Sequence, residues 1–429
     1  MKVSIYGNNL EAYVVAISLA LAGNDVKHYT KAFKSEGDEQ GLIANEPGLK
    51  ANLDKAISKQ AYQEVNDVEF SEVDIHWTFY ENSGASELFV FIDKLISSSN
   101  SVSLVLSTTL GIGTYKSISA EFSDAFDKNL LRVGVVPSLM REGRAFRDFE
   151  NPELLLIGSS DNCLIAKLSE LLSPVIDNAG KVMFITATEA EFIKTSICSM
   201  LATRLSLINE LASLAEQLDV DINTVVDGMG ADERIGEAYL KPGCGFGGLT
   251  LPQEVDNILQ QLSGASSGSA MLKAVVETNN NQKEVLFRKF WSYHKANISN
   301  LNVSVWGASF KPQSSSMANS PIHEIIEALT AQGLNITIYD PASQDLLIEQ
   351  YGHYKNLCVS SNKYEAVSGT DALFIVTAWD EFLQPDFIKL KQLMNKPLIF
   401  DGRNLFEPGE LEEFGFEYYA VGRGQSINS

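Results

Sequence analysis

The stretch Lys2-Val3-Ser4-Ile5-Tyr6-Gly7, at the start of the 429-residue chain, decides the fold. Residues 2–6 are typical of a short buried strand, and the glycine that follows starts a turn. An apolar helical pattern runs from Leu10 to Leu21 and ends before Gly23, and a second strand pattern covers Asp25 to Thr30. A strand, a glycine turn, a helix and a second strand make a βαβ unit, which predicts a parallel sheet.

The α/β pattern continues and then gives way to helices in the middle of the chain. Further strand patterns cover residues 103–106, 132–136 and 154–157, and helical spacing covers 187–218 and 251–291. A new strand pattern at 302–306 opens a second α/β region. We therefore predict two Rossmann-like, doubly wound α/β domains joined by a helical central domain with a long connecting helix. The predicted division is 1–186, 187–296 and 297–429.

Composition and charge exclude several classes of protein. The formal net charge of −22 argues against nucleic acid or an anionic membrane as a partner, because either requires a basic surface. The sequence shows no leader-like segment and no apolar run of membrane-spanning length. The four cysteines are scattered without CxxC spacing and the five histidines are isolated. We therefore expect a cytoplasmic protein without a disulfide framework or a metal site.

Several motifs, in a fixed order along the chain, carry a family resemblance. They are Arg141-Glu142-Gly143-Arg144-Ala145, Ala190-Glu191-Phe192-Ile193-Lys194, Asp232-Glu233-Arg234-Ile235-Gly236, Gly245-Phe246-Gly247-Gly248, Phe310-Lys311-Pro312, Asp340-Pro341 and Asp401-Gly402-Arg403-Asn404. Together they resemble the UDP-glucose/GDP-mannose dehydrogenase family over nearly the whole chain. The resemblance implies a homodimer, formed through the central helical domain, that oxidises C6 of a nucleotide sugar twice with NAD⁺ through a cysteine-bound intermediate.

The residues that the resemblance assigns to the sugar-nucleotide side are present. Lys194 matches the lysine that stabilises the developing oxyanion, although a solvated helix lysine is the alternative. Glu142 matches the residue that positions water and substrate, with a carboxylate at a helix start as the alternative. Arg234 matches a cation from the neighbouring subunit. A UDP-sugar is the expected ligand, and its other implied contacts are Lys241, Phe246, Gly247, Phe310, Lys311 and Arg403.

The position of the family's catalytic cysteine is changed. The family segment GGSCFPKD corresponds here to residues 247–254, which places Thr250 at the nucleophile and Glu254 at the aspartate. A threonine hydroxyl without an adjacent base does not replace a thiolate. We therefore predict that the usual two-step oxidation is lost. Substitution by Cys244 is a disfavoured alternative, because it stands before the glycines.

The dinucleotide side departs from the family pattern as well. Gly7 stands alone in the first turn, with Asn9 at the close-approach position and Ala12 at the packing position. Thr30 stands where an acidic residue normally ends the second strand to bind the ribose. Thr109 matches the family's threonine after a later strand. The resemblance implies NAD, but this loop predicts impaired binding. Thr30 beside Lys31 leaves NADP as a less favoured alternative.

Two hypotheses about function therefore remain open. One is a nucleotide-sugar-binding pseudoenzyme that keeps the family's dimeric fold. The other is an active NAD(P)-dependent dehydrogenase with altered chemistry in the synthesis of polysaccharide precursors. The retained Lys194, Glu142 and Thr109 favour the second hypothesis, and the changes at Asn9 and Thr250 favour the first.

Overall fold

The structure is a computed structural model that describes residues 1–32, 46–66, 70, 73–80, 85–107, 111–263 and 269–423. The chain divides into two compact units. The N-terminal unit consists of Met1–Ile197 with Asp256–Gly264, and the C-terminal unit consists of Cys198–Val255 with Ala265–Ser429. The three-domain division proposed from the sequence stays a prediction.

The N-terminal unit is built on a sheet of eight strands. Their order is β3-β2-β1-β4-β5-β6-β7-β8, and all neighbours are parallel except β6 and β7. The first six strands follow the doubly wound order, so the predicted Rossmann-like topology is confirmed. The strands are β1 Lys2–Tyr6, β2 Asp25–Tyr29, β3 Tyr62–Val65, β4 Ile75–Thr78, β5 Val102–Leu106, β6 Leu131–Val135, β7 Leu155–Gly158 and β8 Val182–Ile185.

Successive side chains of β1 point to opposite faces of the sheet, and each face has its own apolar cluster. Val3 and Ile5 pack in one apolar cluster with helix α1, and Tyr6 packs in another. The helices of this unit are α1 Leu10–Leu21, α2 Leu49–Ser58, α3 Ala85–Ser98, α4 Thr114–Glu121, α5 Ser123–Asp127, α6 Ala145–Glu150, α7 Asn162–Leu171 and α8 Ser173–Asn178. The long helix α9, Ala187–Gln217, begins in this unit and ends in the C-terminal unit.

The C-terminal unit contains a second doubly wound sheet, as predicted. Its six strands are all parallel, in the order β11-β10-β9-β12-β13-β14. The strand order reverses between β9 and β12, and ligands of such sheets bind at the carboxyl ends of the strands beside this point. The strands are β9 Asn302–Trp306, β10 Asn335–Tyr339, β11 Leu357–Val359, β12 Ala372–Ile375, β13 Leu398–Asp401 and β14 Glu417–Ala420.

Helices of the C-terminal unit cover this sheet and are connected to its strands by loops. They are α10 Ile222–Gly230, α11 Thr250–Ser263, α12 Ala270–Lys283, α13 Val285–Tyr293, α14 Ile322–Ala331, α15 Gln344–Tyr351, α16 Lys363–Ala366, α17 Phe387–Leu393 and α18 Pro408–Phe414, with a 3₁₀ turn at Asp380–Phe382. Helix α11 ends in the N-terminal unit. Within the described ranges, no helix has the length and apolar character needed to cross a membrane.

Candidate functional site

A glycine-rich loop, residues 243–248, precedes helix α11, and we call it the glycine loop. Its backbone approaches its neighbours so closely that a Cβ added at Gly243, Gly247 or Gly248 would lie less than 3.0 Å from a neighbouring atom. A Cβ at Gly247 would lie 2.5 Å from the carbonyl oxygen of Asn319, and a Cβ at Gly248 would lie 2.8 Å from the Phe310 ring. The Phe310 ring therefore packs directly on the glycine loop, so the structure brings together Gly247 and Phe310, two positions singled out from the sequence.

Arg403 follows strand β13 and borders the glycine loop. Its Nε donates to the carbonyl oxygen of Val376 at 2.5 Å, and its Nη1 donates weakly to that of Gly245 at 3.5 Å. Its Nη2 is buried and has no hydrogen-bond partner among the described residues. The nearby Asp401 carboxylate instead accepts hydrogen bonds from the Tyr418 hydroxyl and from two backbone N–H groups. This guanidinium is therefore suited to an anionic ligand.

The loop after strand β9 carries Phe310 and Lys311 and is anchored by a buried carboxylate. Asp340, which follows β10, accepts the N–H of Ala308 at 2.7 Å, and both the N–H and the hydroxyl of Ser309 at 3.0 and 2.9 Å. The Nζ of Lys311 lies 5.4 Å from the centroid of the Phe310 ring. Phe310 and Lys311 thus stand together at the carboxyl ends of the strands, where nucleotide ligands of this topology bind.

Two other cations predicted for the substrate side lie at the surface of the C-terminal unit. Lys241 is exposed. The Arg234 side chain is 84% exposed, and its Nη2 pairs with Asp232 at 2.5 Å. Arg204 donates to the carbonyl oxygens of Ile235 and Gly236 and so fixes the segment that carries Arg234. None of these hydrogen bonds connects Arg234 to the glycine loop.

The position predicted for the nucleophile lies at the start of helix α11. Thr250 is the first residue of this helix and is exposed, whereas Glu254 is only 2% exposed. Residues four apart share a helix face, so the hydroxyl and the carboxylate lie on one side of α11. Serine and threonine act as nucleophiles only where a base removes the proton.

Cys244 is a packing residue of the C-terminal unit. Its side chain is fully buried, and its Sγ donates to the carbonyl oxygen of Val376 at 3.7 Å. A Cβ on Gly402 would lie 2.8 Å from this sulfur, so the thiol fills the space beside β13. Burial raises the pKa of the Cys244 thiol above its ordinary value, against the positive charge of Arg403, which lowers it. A protonated, buried thiol does not supply a nucleophilic thiolate.

The first turn of the N-terminal unit has a glycine with a positive φ and a capped helix. Gly7 has a φ of +142°, and a Cβ there would lie 2.8 Å from the carbonyl oxygen of Phe79. The Asn9 side chain caps helix α1 by accepting the N–H of the buried Ala12 at 2.9 Å. In dinucleotide-binding folds the pyrophosphate binds at this helix N-terminus. Asn9 therefore already satisfies one N–H group of that anion-binding position.

The end of strand β2 carries a hydroxyl bonded to a carboxylate of the next strand. Thr30 is buried, and its Oγ1 donates to Glu64 at 3.1 Å. The sequence places no acid at Thr30, yet the pairing of β2 with β3 brings Glu64 beside it. Only the strand order reveals this carboxylate, because Glu64 is distant in sequence and belongs to no motif.

Glu142 lies in a turn whose backbone is held by a buried glutamate. Glu46 accepts the N–H of Gly143 at 2.6 Å and the N–H of Ala145, the first residue of α6, at 2.7 Å. Two backbone N–H groups on one carboxylate fix the turn and complement the positive end of the helix. Glu46 is thus a structural residue of this turn that the motif analysis missed.

Lys194 lies on α9 and is 5% exposed, which does not fit the alternative of a solvated helix lysine. In the same motif, the Glu191 carboxylate accepts the N–H groups of Gly113 at 2.8 Å and Tyr115 at 2.7 Å. These bonds anchor the start of helix α4 against α9. Thr109, the cofactor-side threonine, lies outside the described residues.

Sequence comparisons identify relatives of this chain. The family model for the UDP binding domain of the UDP-glucose/GDP-mannose dehydrogenase family matches residues 304–408, and the model for its central domain matches residues 188–281. A UDP-glucose 6-dehydrogenase of Pseudomonas aeruginosa is 34% identical over 327 residues, covering 75% of this chain and 72% of that protein. The UDP-glucose 6-dehydrogenase YwqF of Bacillus subtilis is 28% identical, covering 100% of this chain and 99% of that protein.

Solved structures show the same fold over the whole chain. A UDP-glucose dehydrogenase from Pyrobaculum islandicum superposes with a TM-score of 0.84 at 22% identity, covering 98% of this chain and 97% of that one. A UDP-D-ManNAc dehydrogenase from Pyrococcus horikoshii gives a TM-score of 0.83 at 21% identity, covering 99% and 100%.

Proposed function

Because this chain belongs to the UDP-glucose/GDP-mannose dehydrogenase family, we propose that it binds a nucleotide sugar, with a UDP-sugar as the preferred class. The observation that carries the proposal is the Arg403 guanidinium, whose buried Nη2 has no described hydrogen-bond partner beside the glycine loop. Leaving such a group unsatisfied costs about 1–3 kcal/mol, or more for a charged group. An anionic ligand whose oxygen reaches this nitrogen would remove this cost on binding.

The diphosphate of a nucleotide sugar matches the groups gathered at this site. Arg403 supplies a planar donor pair for phosphate oxygens, and Lys311 supplies a second positive charge beside the Phe310 ring. In the glycine loop, Phe246 is proposed to contact the nucleotide and sugar through its half-buried side chain, and Gly247 through its backbone. Lys241 is proposed as a further cation of the same site. Convergent cations and close backbone approach are what phosphate recognition requires.

The redox half of the family's chemistry is proposed to be lost in this chain. The helix end that would receive a pyrophosphate is capped by Asn9, and Glu11 adds an acidic residue to its first turn. These residues do not fit an NAD pyrophosphate. The Glu64 carboxylate beside Thr30 also opposes the 2′-phosphate of NADP. With Thr250 at the nucleophile position, we derive no oxidation step through either cofactor.

An altered dehydrogenase is the second candidate, and it rests on the N-terminal unit. Lys194 is buried, as a cation that stabilises an oxyanion would be. Glu142 stands in the turn that Glu46 holds, so its backbone is fixed. In this alternative, Lys194 and Glu142 assist a single oxidation of an alcohol to an aldehyde, with NAD⁺ or NADP⁺ as the hydride acceptor.

Titration calorimetry with UDP-glucose, GDP-mannose, NAD⁺ and NADP⁺ separates the two candidates. Binding of UDP-glucose without binding of either dinucleotide is expected. A parallel assay at 340 nm, with each sugar nucleotide and each cofactor together, is expected to show no reduced nicotinamide. Tight NAD⁺ binding without UDP-sugar binding would overturn the proposal. Formation of reduced nicotinamide would favour the altered dehydrogenase.

We also propose that the protein forms a homodimer through the helical part of the C-terminal unit. Apolar side chains about two helical turns apart are exposed at Met200, Leu207 and Leu214, and Leu218 continues the row. Such a row is typical of a helix seam that packs against a second copy. The exposed Arg234 has the position of the family's cation that reaches the neighbouring subunit. The expected cytoplasmic location stays a prediction.

Replacement of Leu207 by glutamate should convert the dimer to a monomer in sedimentation velocity experiments. Leu207 is 49% exposed, so a charge there disturbs a seam between copies more than the core of one copy. Ile348→Glu is the matched control, because Ile348 is equally apolar and 56% exposed on another helix of this unit. The proposal is wrong if the parent protein sediments as a monomer.

A further inference from the structure

The glycine loop is tied to helix α12 by a buried asparagine. The Asn279 Oδ1 accepts the N–H of Phe246 at 2.8 Å, and the Asn279 Nδ2 donates to the carbonyl oxygen of the same residue at 3.0 Å. The side-chain amide thus satisfies both backbone groups of Phe246, as an adjacent strand would. Asn279 is only 4% exposed, so little water reaches this pair of bonds.

Asn279 differs from the two asparagines that follow it in the same helix. Asn279, Asn280 and Asn281 are consecutive on α12, but only Asn279 is buried and directed at the loop. Asparagine is a weaker helix former than alanine, so a buried asparagine in the helix interior does not stabilise α12. Its hydrogen-bonding capacity is used on Phe246.

The same helix and its surroundings hold the other end of the loop. Gln282, one turn further along α12, donates to the carbonyl oxygen of Gly243 at 2.7 Å, and Asn209 accepts the N–H of Gly243 at 2.8 Å. Between these anchors, Gly245 has a φ of +90°. Glycine is the most flexible residue in an unfolded or mobile loop, so this segment needs external bonds to keep one conformation.

The conformation that Asn279 holds has consequences for the charged part of the site. The Gly245 carbonyl oxygen accepts the weak bond from the Arg403 Nη1, and a Cβ on Gly245 would lie 3.2 Å from the Asn279 Oδ1. Phe246 lies next to Gly247, which packs on Phe310. The bonds from Asn279 therefore constrain the backbone between Arg403 and Phe310.

We propose that Asn279 is a positioning residue for ligand binding, which acts through Phe246 and holds the glycine loop in its binding conformation before the ligand arrives. The inference rests on the proposed binding of a nucleotide sugar. A loop that is already ordered loses less conformational entropy on binding, which increases affinity without any direct contact between Asn279 and the ligand. The ligand class is the diphosphate-containing sugar nucleotide argued for Arg403.

The test compares Asn279→Leu, Asn279→Asp and the control Asn280→Leu in the full-length protein, with UDP-glucose as the probe. Leucine removes both bonds to Phe246, and we expect the Kd to rise roughly 10- to 100-fold, as for the loss of hydrogen bonds that order a binding loop. Aspartate keeps an acceptor for the Phe246 N–H, and part of the affinity should return. The control should bind like the parent.

A second readout separates positioning from general destabilisation. Hydrogen exchange of the backbone N–H groups of residues 243–248, measured without ligand, should accelerate in Asn279→Leu, less in Asn279→Asp and not in Asn280→Leu. Equal affinity of the parent and Asn279→Leu, with the parent binding UDP-glucose, would refute the positioning role alone. Failure of the parent to bind UDP-glucose would refute the proposed function, and the inference with it. Loss of protection throughout the C-terminal unit in Asn279→Asp would show a purely structural role.

Discussion

Replacement of Arg403 by leucine should weaken UDP-glucose binding roughly 30-fold or more, which corresponds to about 2 kcal/mol. The same replacement should change the free energy of unfolding of the ligand-free protein by no more than about 1 kcal/mol. The two effects differ because the guanidinium has one bond to Val376, a long one to Gly245 and one buried nitrogen that has no partner in the described part of the chain. Replacing the guanidinium loses its two hydrogen bonds, but it also removes the buried nitrogen that lacks a partner among the described residues.

A large loss of affinity together with a small change in stability distinguishes a ligand-binding arginine from a structural one. Arg423, in the same unit, pairs with Asp221 at 3.0 Å and Glu407 at 2.7 Å, and its charge is neutralised within the protein. Arg403 has no such ion pair among the described residues. Residues kept at the expense of stability are characteristic of functional sites.

Calorimetry and thermal unfolding of Arg403→Leu, Arg403→Lys and Arg288→Leu test this expectation. Lysine keeps the charge but not the planar donor pair, so an intermediate Kd is expected. Arg288 is an exposed arginine of α13 that pairs with Glu284, and its replacement should leave the Kd unchanged. An unaltered Kd in Arg403→Leu, or extensive unfolding of that variant, would contradict the assignment.

Acid should destabilise the N-terminal unit as the pH falls from 6.5 to about 4, because two buried histidines remain neutral in the folded chain. Burial lowers the pKa of His28 from 6.5 to about 4, although its hydrogen bond to Gly7 raises it. Burial, helped by the charge of Lys167, lowers the pKa of His76 to about 4 as well. The unfolded chain therefore binds more protons in this pH range.

Burial keeps both rings neutral, and the hydrogen bonds show how the ring nitrogens are used. The His28 Nε2 donates to the carbonyl oxygen of Gly7 at 2.7 Å, so its Nδ1 is free of a proton and accepts the Tyr62 hydroxyl at 2.8 Å. The His76 Nδ1 lies 2.9 Å from the Tyr6 hydroxyl. The free energy of unfolding is therefore highest above pH 6.5. As the pH falls to about 4, it decreases by roughly 3 kcal/mol for each of the two rings.

Urea unfolding at several pH values between 7.5 and 4.5 gives the free energy of unfolding at each pH. The slope of that free energy against pH measures the destabilisation by acid. Asparagine at position 28 does not titrate, so His28→Asn should reduce the slope near pH 5 by up to about 1.4 kcal/mol per pH unit. The exposed His353, replaced in the same way, is the matched control and should leave the slope as in the parent. Identical slopes in His28→Asn and the parent would show that His28 is not the group that titrates.

The candidate site shows which of its residues were predictable from the sequence. Phe246, Gly247, Phe310, Lys311 and Arg403 each stand in a run of matching residues, so their positions follow from local pattern. The structure adds the contacts between Phe310 and the glycine loop and between that loop and Arg403. Asn279, which bonds Phe246, belonged to none of the motifs and was missed.

In the N-terminal unit, too, the sequence predicted local features but not contacts between distant segments. The departure of the first turn from the dinucleotide-binding pattern was predictable, because Gly7 and Asn9 are read directly in the sequence, and the Asn9 cap on Ala12 is a local bond. Glu64 and Glu46 were not predictable. Each carboxylate meets its partner, at Thr30 and at the turn after Glu142, across a long separation in sequence.

By itself, the sequence determined the two doubly wound α/β folds, the long helix and the family, and it predicted the changed nucleophile, because all of these follow from periodicity and from residues adjacent in the chain. The tertiary structure alone decided the surroundings of three side chains: Arg403 has a nitrogen without a partner among the described residues, Cys244 is buried as packing, and Asn279 bonds Phe246. Burial and hydrogen-bond partners depend on segments distant in sequence, and those distances are set only when the sheets and helices pack.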